Sequence, residues 1–217
     1  MNLSIKYLGV SVVNVNVTNI DSTLFVNARA TFIASIAANM NNNYISHYSG
    51  AYLPTVYIKK IDQGDYFEDR TTTYDRQKLE AQRISKLGPE QNCLYPIMPE
   101  SRDFFSALFY LRTVLDEPRG ELWVDANKLI WKVNYKIVGY ETISTKLGRK
   151  QAIKLEITFN NYSKGVKERS DMLTNNLVDE DKVLEIWFSN DDLKLPIKAK
   201  FIMAPFPVTW KLNSYTR

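Results

Sequence analysis

The stretch SRDFFSALFYLRTVL, from Ser101 to Leu115, restricts the fold of this chain more than any other feature. Its apolar residues have helical spacing, yet they occupy nearly every side of the predicted helix. The stripe suited to packing on one sheet consists of Phe104, Leu108, Leu111 and Leu115. The apolar residues on the other sides are Phe105, Phe109 and Tyr110. A helix that is apolar all round is buried all round, so the rest of the chain is expected to wrap it.

Most of the remaining chain alternates between apolar and polar residues, which is typical of half-buried β-strands. In the clearest case one strand face carries Leu129, Trp131, Val133, Tyr135 and Ile137. Turn residues separate about ten such segments, enough for a strongly curved antiparallel sheet. We therefore predict a mainly β protein with a single domain over residues 1–217. The expected fold is a curved, half-open antiparallel β-barrel wrapped around one buried helix.

Two segments between the predicted strands carry further expectations. Residues 65–85, DYFEDRTTTYDRQKLEAQRIS, are rich in charges and threonine and predict a long, exposed hairpin. Residues 88–101 contain Pro89, Pro96 and Pro99. Because proline cannot donate to a sheet ladder, this second segment is predicted to lie outside the sheet and to lead the chain to the helix.

The polar residues beside the predicted helix are assigned from their chemistry. Asp103 or Ser101 is expected to cap the helix start by accepting backbone N–H groups. Arg112 is expected to reach solvent or to pair with a carboxylate, because an unpaired buried guanidinium is too costly.

Composition excludes several classes of protein. The chain carries 28 Lys and Arg against 24 Asp and Glu, a net charge of +4, and these residues are scattered. We therefore expect no nucleic-acid partner. Cys93 is the only cysteine, which excludes an internal disulfide and a thiolate zinc cluster. No apolar run approaches the ~18 residues that a transmembrane helix needs, so no transmembrane segment is expected.

Catalytic chemistry finds little support in the sequence. His47 is the only histidine, which excludes a histidine-rich metal site and favours a strand residue with a hydrogen bond. Asp191 and Asp192 follow Asn190 and could hold calcium, but the turn of a hairpin explains all three. No nucleophile elbow or phosphate-binding glycine loop is present. We expect no catalytic residues, no metal and no cofactor.

Two motifs together resemble a known family. The helix reads D-x-x-S-A-L-x-Y-x-R from Asp103 to Arg112, and residues 186–200 read IWFSNDDLKLPIKAK. Both resemble the domain of unknown function 3108 family of exported bacterial proteins. The resemblance implies a signal peptide upstream of Met1, a periplasmic or outer-envelope location, and a fold similar to the lipoprotein carriers LolA and LolB, whose curved sheet shelters acyl chains. It carries over no functional residues.

Three functions remain open. The favoured one is a non-catalytic binding protein that holds a lipid or acyl chain in its β-cup. An envelope assembly or scaffold protein that binds another protein is the alternative, and a hydrolase is the least favoured. The candidate ligand-binding residues are Phe104, Phe105, Leu108, Phe109, Tyr110, Leu111, Trp131 and Trp187.

Overall fold

The computed structural model describes residues 1–203 and 206–216, and within them fourteen strands form one antiparallel sheet. The strands are β1 (Asn2–Tyr7), β2 (Val10–Ile20), β3 (Thr23–Ala30), β4 (Asn41–Ser49), β5 (Leu53–Gln63), β6 (Tyr66–Asp75), β7 (Glu80–Ser85), β8 (Cys93–Pro96), β9 (Arg119–Ala126), β10 (Leu129–Thr145), β11 (Gly148–Asn161), β12 (Val183–Ser189), β13 (Pro196–Met203) and β14 (Phe206–Ser214). The helices are α1 (Phe32–Ser35), α2 (Phe104–Leu111) and α3 (Met172–Asn175).

The sheet consists of two meanders joined by the first and last strands. Its order is β8-β7-β6-β5-β4-β3-β2-β1-β14-β13-β12-β11-β10-β9. Register shifts in β1, β4, β10 and β12 mark bulges, and bulges bend and twist a strand. The edge strands β8 and β9 are not neighbours in this order, and Arg102 bonds to the open edge of β9 through Trp123 and Asp125. The predicted half-open, mainly β barrel is therefore confirmed. That residues 1–217 form a single domain stays a prediction, and residue 217 lies outside the described range.

Helix α2 lies inside the curved sheet, as its all-round apolar surface predicts. Phe104, Phe105, Phe109 and Leu111 are buried, and so are the small residues between them. The helix ends at Leu111, four residues earlier than expected. The reason is local: the N–H groups of residues 113 and 114 bond to carbonyls three residues back, which tightens the last turn and closes the helix.

Asp103 is the N-cap of α2 and ties the helix to the sheet. Its Oδ1 accepts from the backbone N–H groups of Phe105 and Ser106, at 2.9 and 3.0 Å. Its Oδ2 accepts from the hydroxyls of Ser46 on β4 and Ser106, each at 2.6 Å. Burial raises the pKa of Asp103, against these hydrogen bonds. Of the two predicted caps, the structure therefore uses Asp103.

Two predictions about the middle of the chain need correction. Residues 65–85 form the expected hairpin, with β6 paired antiparallel to β7, but it is not exposed. Both strands lie within the sheet and bury every second side chain, including Glu68, Arg70 and Arg83. Residues 93–96 do not lie outside the sheet but form its edge strand, β8. An edge strand tolerates Pro96 because half of its backbone groups need no ladder partner.

Candidate functional site

Helix α2 fills the middle of the barrel almost completely. On one side a cavity of about 30 Å³ lies between Phe105, Phe109 and the strands that carry Leu3 and Trp210. On the other side a second cavity of about 30 Å³ lies between Phe104 and strands β9 to β12. Since one water needs about 10–15 Å³ by this measure, each cavity admits only a few water-sized groups. The helix is a packed plug.

The eight predicted ligand-binding residues do not form one surface. Five of them, all on α2, line the two small cavities: Phe104, Phe105, Leu108, Phe109 and Leu111. Tyr110 instead stacks under the guanidinium of Arg102, 3.6 Å from its ring centre. Trp131 is buried and is absent from both cavity linings. Their ligand-binding role stays a prediction.

Trp187 lies on the other face of β12 from the inward-facing Ile186. The ammonium of Lys198 sits 3.8 Å from its ring centre, and that of Lys154 sits 5.1 Å away. Its indole N–H donates to Glu141. Lysine stems therefore bury this tryptophan on the outside of the barrel, away from the plug.

A much larger cavity lies at one end of the barrel. Its volume is about 330 Å³, and it lies between α1, α3 and the inner face of the sheet near β1, β2 and β14. Its lining is mainly apolar and includes Ile5, Val13, Ala34, Met40, Val208 and Trp210. Binding sites for small molecules have this character: volumes of about 300–1,000 Å³, apolar walls and a few polar groups. A cleft of about 400 Å³ at the opposite end of β13 is lined partly by Asp116, Asn190 and Lys194 and lacks that apolar character.

Helix α1 forms one wall of this large cavity. Its N-cap Thr31 accepts from the N–H of Ala34 at 3.4 Å and donates to the carbonyl of Ser11 on β2 at 2.9 Å. The backbone N–H of Thr31 also bonds to the Val12 carbonyl at 2.9 Å. These bonds hold α1 against the start of β2, and Ala34 and Ala38 face the cavity.

Helix α3 forms the facing wall, and a buried carboxylate positions it. Asp171, the N-cap of α3, accepts from the N–H and the hydroxyl of Thr174 at 2.7 and 2.6 Å. It also accepts from the hydroxyl of Tyr44 at 2.6 Å and pairs with the ammonium of Lys59 at 2.8 Å. Burial alone raises the pKa of Asp171, but the charge and hydrogen bonds around it, from Lys59 above all, hold that pKa below its usual value. Asp171 is therefore ionised, and its contacts hold α3, one wall of the cavity, in place.

Lys59 and Asp171 belong to a wider polar cluster buried under β5, β6 and β7. We define the polar cluster as Lys59, Glu68, Arg70, Arg83, Asp125 and Asp171. Lys59 lies 3.4 Å from Glu68, which in turn lies 3.4 Å from the guanidinium of Arg70. The guanidinium of Arg83 pairs with Glu168 at 3.1 Å. All its members except Asp171 line a cavity of only about 20 Å³, and Arg70 keeps its Nε and Nη1 atoms buried without a hydrogen-bond partner among the described residues.

Asp125 is the member of the polar cluster without a cationic partner in its hydrogen bonds. Its Oδ2 accepts from the hydroxyls of Tyr74 and Tyr95 at 3.0 and 2.7 Å. Burial raises the pKa of Asp125 to about 6, although these two hydrogen bonds oppose the shift. A carboxyl of this kind titrates near neutral pH. The cavity that it lines has a volume of only about 20 Å³.

The remaining residues singled out in the sequence have structural contacts. His47 lies on β4, and its Nδ1 is 3.0 Å from the hydroxyl of Thr23. Asp191 accepts from Ser189 and from the N–H of Leu193 in the turn between β12 and β13. Arg112 does not pair with a carboxylate, which was one of the two expectations for it. It is half-buried and donates to the backbone carbonyls of residues 193 and 194 in that same turn, at 2.6 and 3.1 Å. Carbonyl oxygens thus satisfy the guanidinium.

Within residues 1–203 and 206–216, no three His, Cys, Asp or Glu side chains are grouped so as to hold a metal ion together. In that same part of the chain, none of the helices has the length and apolar character required to cross a bilayer.

Sequence reasoning missed the large cavity. Its walls come from α1, α3 and strands from both ends of the sequence, among them β1, β2, β13 and β14, so no local pattern predicts it. The one available signal was the segment TFIASIAANM, residues 31–40, where apolar residues recur without strand alternation in a strand-rich chain.

Comparison with known proteins gives a fold and a family. The solved structure titled as a β-barrel-like protein of domain of unknown function DUF1849, from Brucella abortus, superposes with a TM-score of 0.61. The match covers 97% of this chain and 92% of that chain at 5% sequence identity, so it shows a shared fold alone. No curated protein matches the sequence. The likeness to LolA and LolB stays a prediction. The family model for proteins of unknown function DUF3108 matches residues 3–206, and the chain therefore belongs to that family.

Proposed function

We propose that the protein is a non-catalytic binding protein that holds a hydrophobic or amphipathic ligand, such as a lipid or acyl chain. The ligand occupies the cavity between α1, α3 and the sheet. The observation that carries the proposal is this cavity of about 330 Å³ with its mainly apolar lining. The plug α2, with about 30 Å³ on each side, has no room for an acyl chain.

The chemistry of the cavity suits an amphipathic chain. Apolar surface removed from water contributes roughly 25 cal/mol per Å², and Met40 and Met172 give the wall side chains that adapt to different shapes. Polar groups lie at Asn39 and Gln63. A ligand with an apolar tail and a small polar end would therefore find partners for both.

The proposal includes a location outside the cytoplasm, in the periplasm or at the outer envelope. Its support is the resemblance of the two sequence motifs to exported bacterial proteins. A lipid-binding protein is useful there because acyl chains need shelter from water between two membranes.

A fluorescent fatty acid tests the cavity directly. Ala34→Phe places a ring in the cavity from α1, whereas Ala37→Phe adds the same ring to an exposed position of the same segment. We expect wild type and Ala37→Phe to bind the probe and Ala34→Phe to bind it at least tenfold more weakly. All three proteins should keep the same denaturant midpoint.

The same measurement distinguishes binding in the large cavity from binding against α2. Absence of probe binding by wild type would overturn the proposal. If Ala34→Phe binds normally while a folded Phe109→Ala variant loses the probe, the ligand lies against α2 instead and the proposed cavity is wrong.

A further inference from the structure

Large apolar side chains are exposed to solvent around the end of the barrel that contains the large cavity. On α1 and just after it, Phe32, Ile33 and Ile36 are 84%, 67% and 78% exposed. Leu8, between β1 and β2, is 59% exposed. We define the apolar rim as Leu8, Phe32, Ile33, Ile36, Ile202 and Phe206. A monomeric soluble protein rarely exposes a large contiguous apolar patch without a function for it.

The strand pairing places these residues at the same end of the barrel. Tyr7, next to Leu8, packs edge-on against the ring of Phe206, with the ring centres 6.1 Å apart. Residue 202 pairs with residue 207 across β13 and β14. Hydrogen bonds from Thr31 to the start of β2 bring α1 beside the turn between β1 and β2. The rim is thus one surface built from three segments.

The charged residues within the segments that carry the apolar rim are all positive. These segments, residues 4–14, 27–42 and 199–211, contain Lys6, Arg29, Lys200 and Lys211 and no aspartate or glutamate. The ammonium of Lys200 lies 3.9 Å from Glu185 on the adjacent strand β12. Lys6 and Lys200 flank Thr209 on adjacent strands, and Lys211 lies between Ser4 and Lys198 in the next row. The acid of the neighbouring turn between β5 and β6, Asp65, is paired with Arg169 at 2.5 Å.

We propose that the apolar rim docks on the surface of an anionic lipid bilayer. Phe32, Ile33 and Ile36 enter the interface between headgroups and acyl chains, and the lysines of β1, β13 and β14 contact the headgroups. Interfacial segments combine these same elements: large apolar side chains on one side and cations beside them. A protein partner would need acidic groups to complement the lysines, whereas an anionic membrane offers negative charge and an apolar layer together.

Docking goes beyond ligand binding and does not require the cavity to hold a ligand. The two are linked in space, because the wall helix α1 carries both Ala34, which faces the cavity, and the exposed Phe32 and Ile33. Insertion of the rim would bring the cavity next to the acyl region of the bilayer.

Vesicle sedimentation tests the docking. The full chain is mixed with vesicles of phosphatidylcholine alone and with vesicles containing 20% phosphatidylglycerol, at low and high salt. We expect binding to the anionic vesicles that weakens in high salt. The double variant Ile33→Ser/Ile36→Ser should bind at least tenfold more weakly. Lys6→Gln and Lys200→Gln should each weaken binding to anionic vesicles about fivefold.

Matched controls use exposed apolar residues away from the rim. Val166→Ser and Tyr140→Ser remove side chains that are 89% and 66% exposed, and both should bind vesicles as wild type does. The docking proposal is wrong if wild type binds neither kind of vesicle. It is also wrong if the control variants lose as much vesicle binding as the rim variants. Fatty-acid binding is measured separately on the same variants. Retained fatty-acid binding in a variant that has lost vesicle binding distinguishes the docking surface from the cavity.

Discussion

The two halves of the sheet enclose very different interiors. Under β9 to β14 the inward-facing residues are almost all apolar, with Leu155, Phe188 and Ile197 at most 1% exposed. Under β5 to β7 the buried residues include Lys59, Glu68 and other members of the polar cluster. The first half is stabilised by packing, which is non-directional and depends on volume. The second depends on the pairing of particular atoms, since an unpaired buried charge is strongly destabilising.

The two interiors also serve different purposes. The apolar half encloses α2 and leaves little free volume around it. The polar cluster reaches α3 through Asp171 and Lys59, and α3 is one wall of the large cavity. A protein that must keep a space open needs rigid walls, and a hydrogen-bonded cap on α3 resists collapse better than apolar contact alone.

The largest expected effect comes from Lys59→Met, which keeps the shape of the side chain but removes its charge. It leaves Asp171 buried without its cation and removes one of the two cations next to Glu68, so we expect a loss of ~3–5 kcal/mol of unfolding free energy. Chemical denaturation measures it. Lys60→Met, at the exposed neighbouring position on β5, should stay within ~0.5 kcal/mol of wild type. Similar midpoints for the two variants would show that the polar cluster is not needed for stability.

The next effect depends on pH and concerns Asp125. Burial raises the pKa of Asp125 in the folded state to about 6 from 3.8. Between these two pH values the folded state therefore keeps a proton that the unfolded state has lost. This contribution to stability is complete well below pH ~4 and is lost as the pH rises through ~6. Asp125→Asn lacks it, so its stability relative to wild type should rise by about 2 kcal/mol between pH 4 and 7.

A second variant gives the sign control for that measurement. Asp65→Asn removes an exposed carboxylate whose pKa is lowered by hydrogen bonding to Arg169 and by its charge. Its stability relative to wild type should therefore fall, not rise, with increasing pH, and the fall should occur below pH ~4, where an unperturbed aspartate loses its proton. Parallel pH profiles for wild type and Asp125→Asn would contradict the assignment of a protonated Asp125.

The smallest effect is expected in the apolar half. Leu155→Met keeps the volume of a fully buried side chain, and volume-conserving swaps in apolar cores usually cost less than about 1.5 kcal/mol. Leu155→Ala, which leaves a cavity, should cost ~2–5 kcal/mol. Denaturant midpoints of these two variants are compared with that of Lys59→Met. The comparison shows whether side-chain volume or charge pairing determines stability in each half of the sheet. A loss from Leu155→Met as large as that from Lys59→Met would remove the distinction.

Much of the fold could be predicted because its signals are local. Alternation in segments such as 129–137 places side chains on two faces of a strand whatever its neighbours are. The apolar surface of the α2 segment required burial on all sides, and the curved sheet around it followed. The interior of β6 and β7 could not be predicted in this way. Glu68 and Arg70 resemble exposed residues in the sequence. Their burial is tolerated only because partners from other parts of the chain lie next to them.

The sequence by itself determined that the protein is mainly β, that one helix lies inside the sheet, and which family it belongs to. Tertiary structure alone decided where the free space lies. The predicted site on α2 is a packed plug, whereas the cavity forms where α1 and α3 meet the strands near both chain ends. The physical reason is that periodicity reports which side of an element is apolar, but a cavity is the gap between elements. Its size depends on how far their backbones are held apart, here through contacts such as that of Lys59 with Asp171.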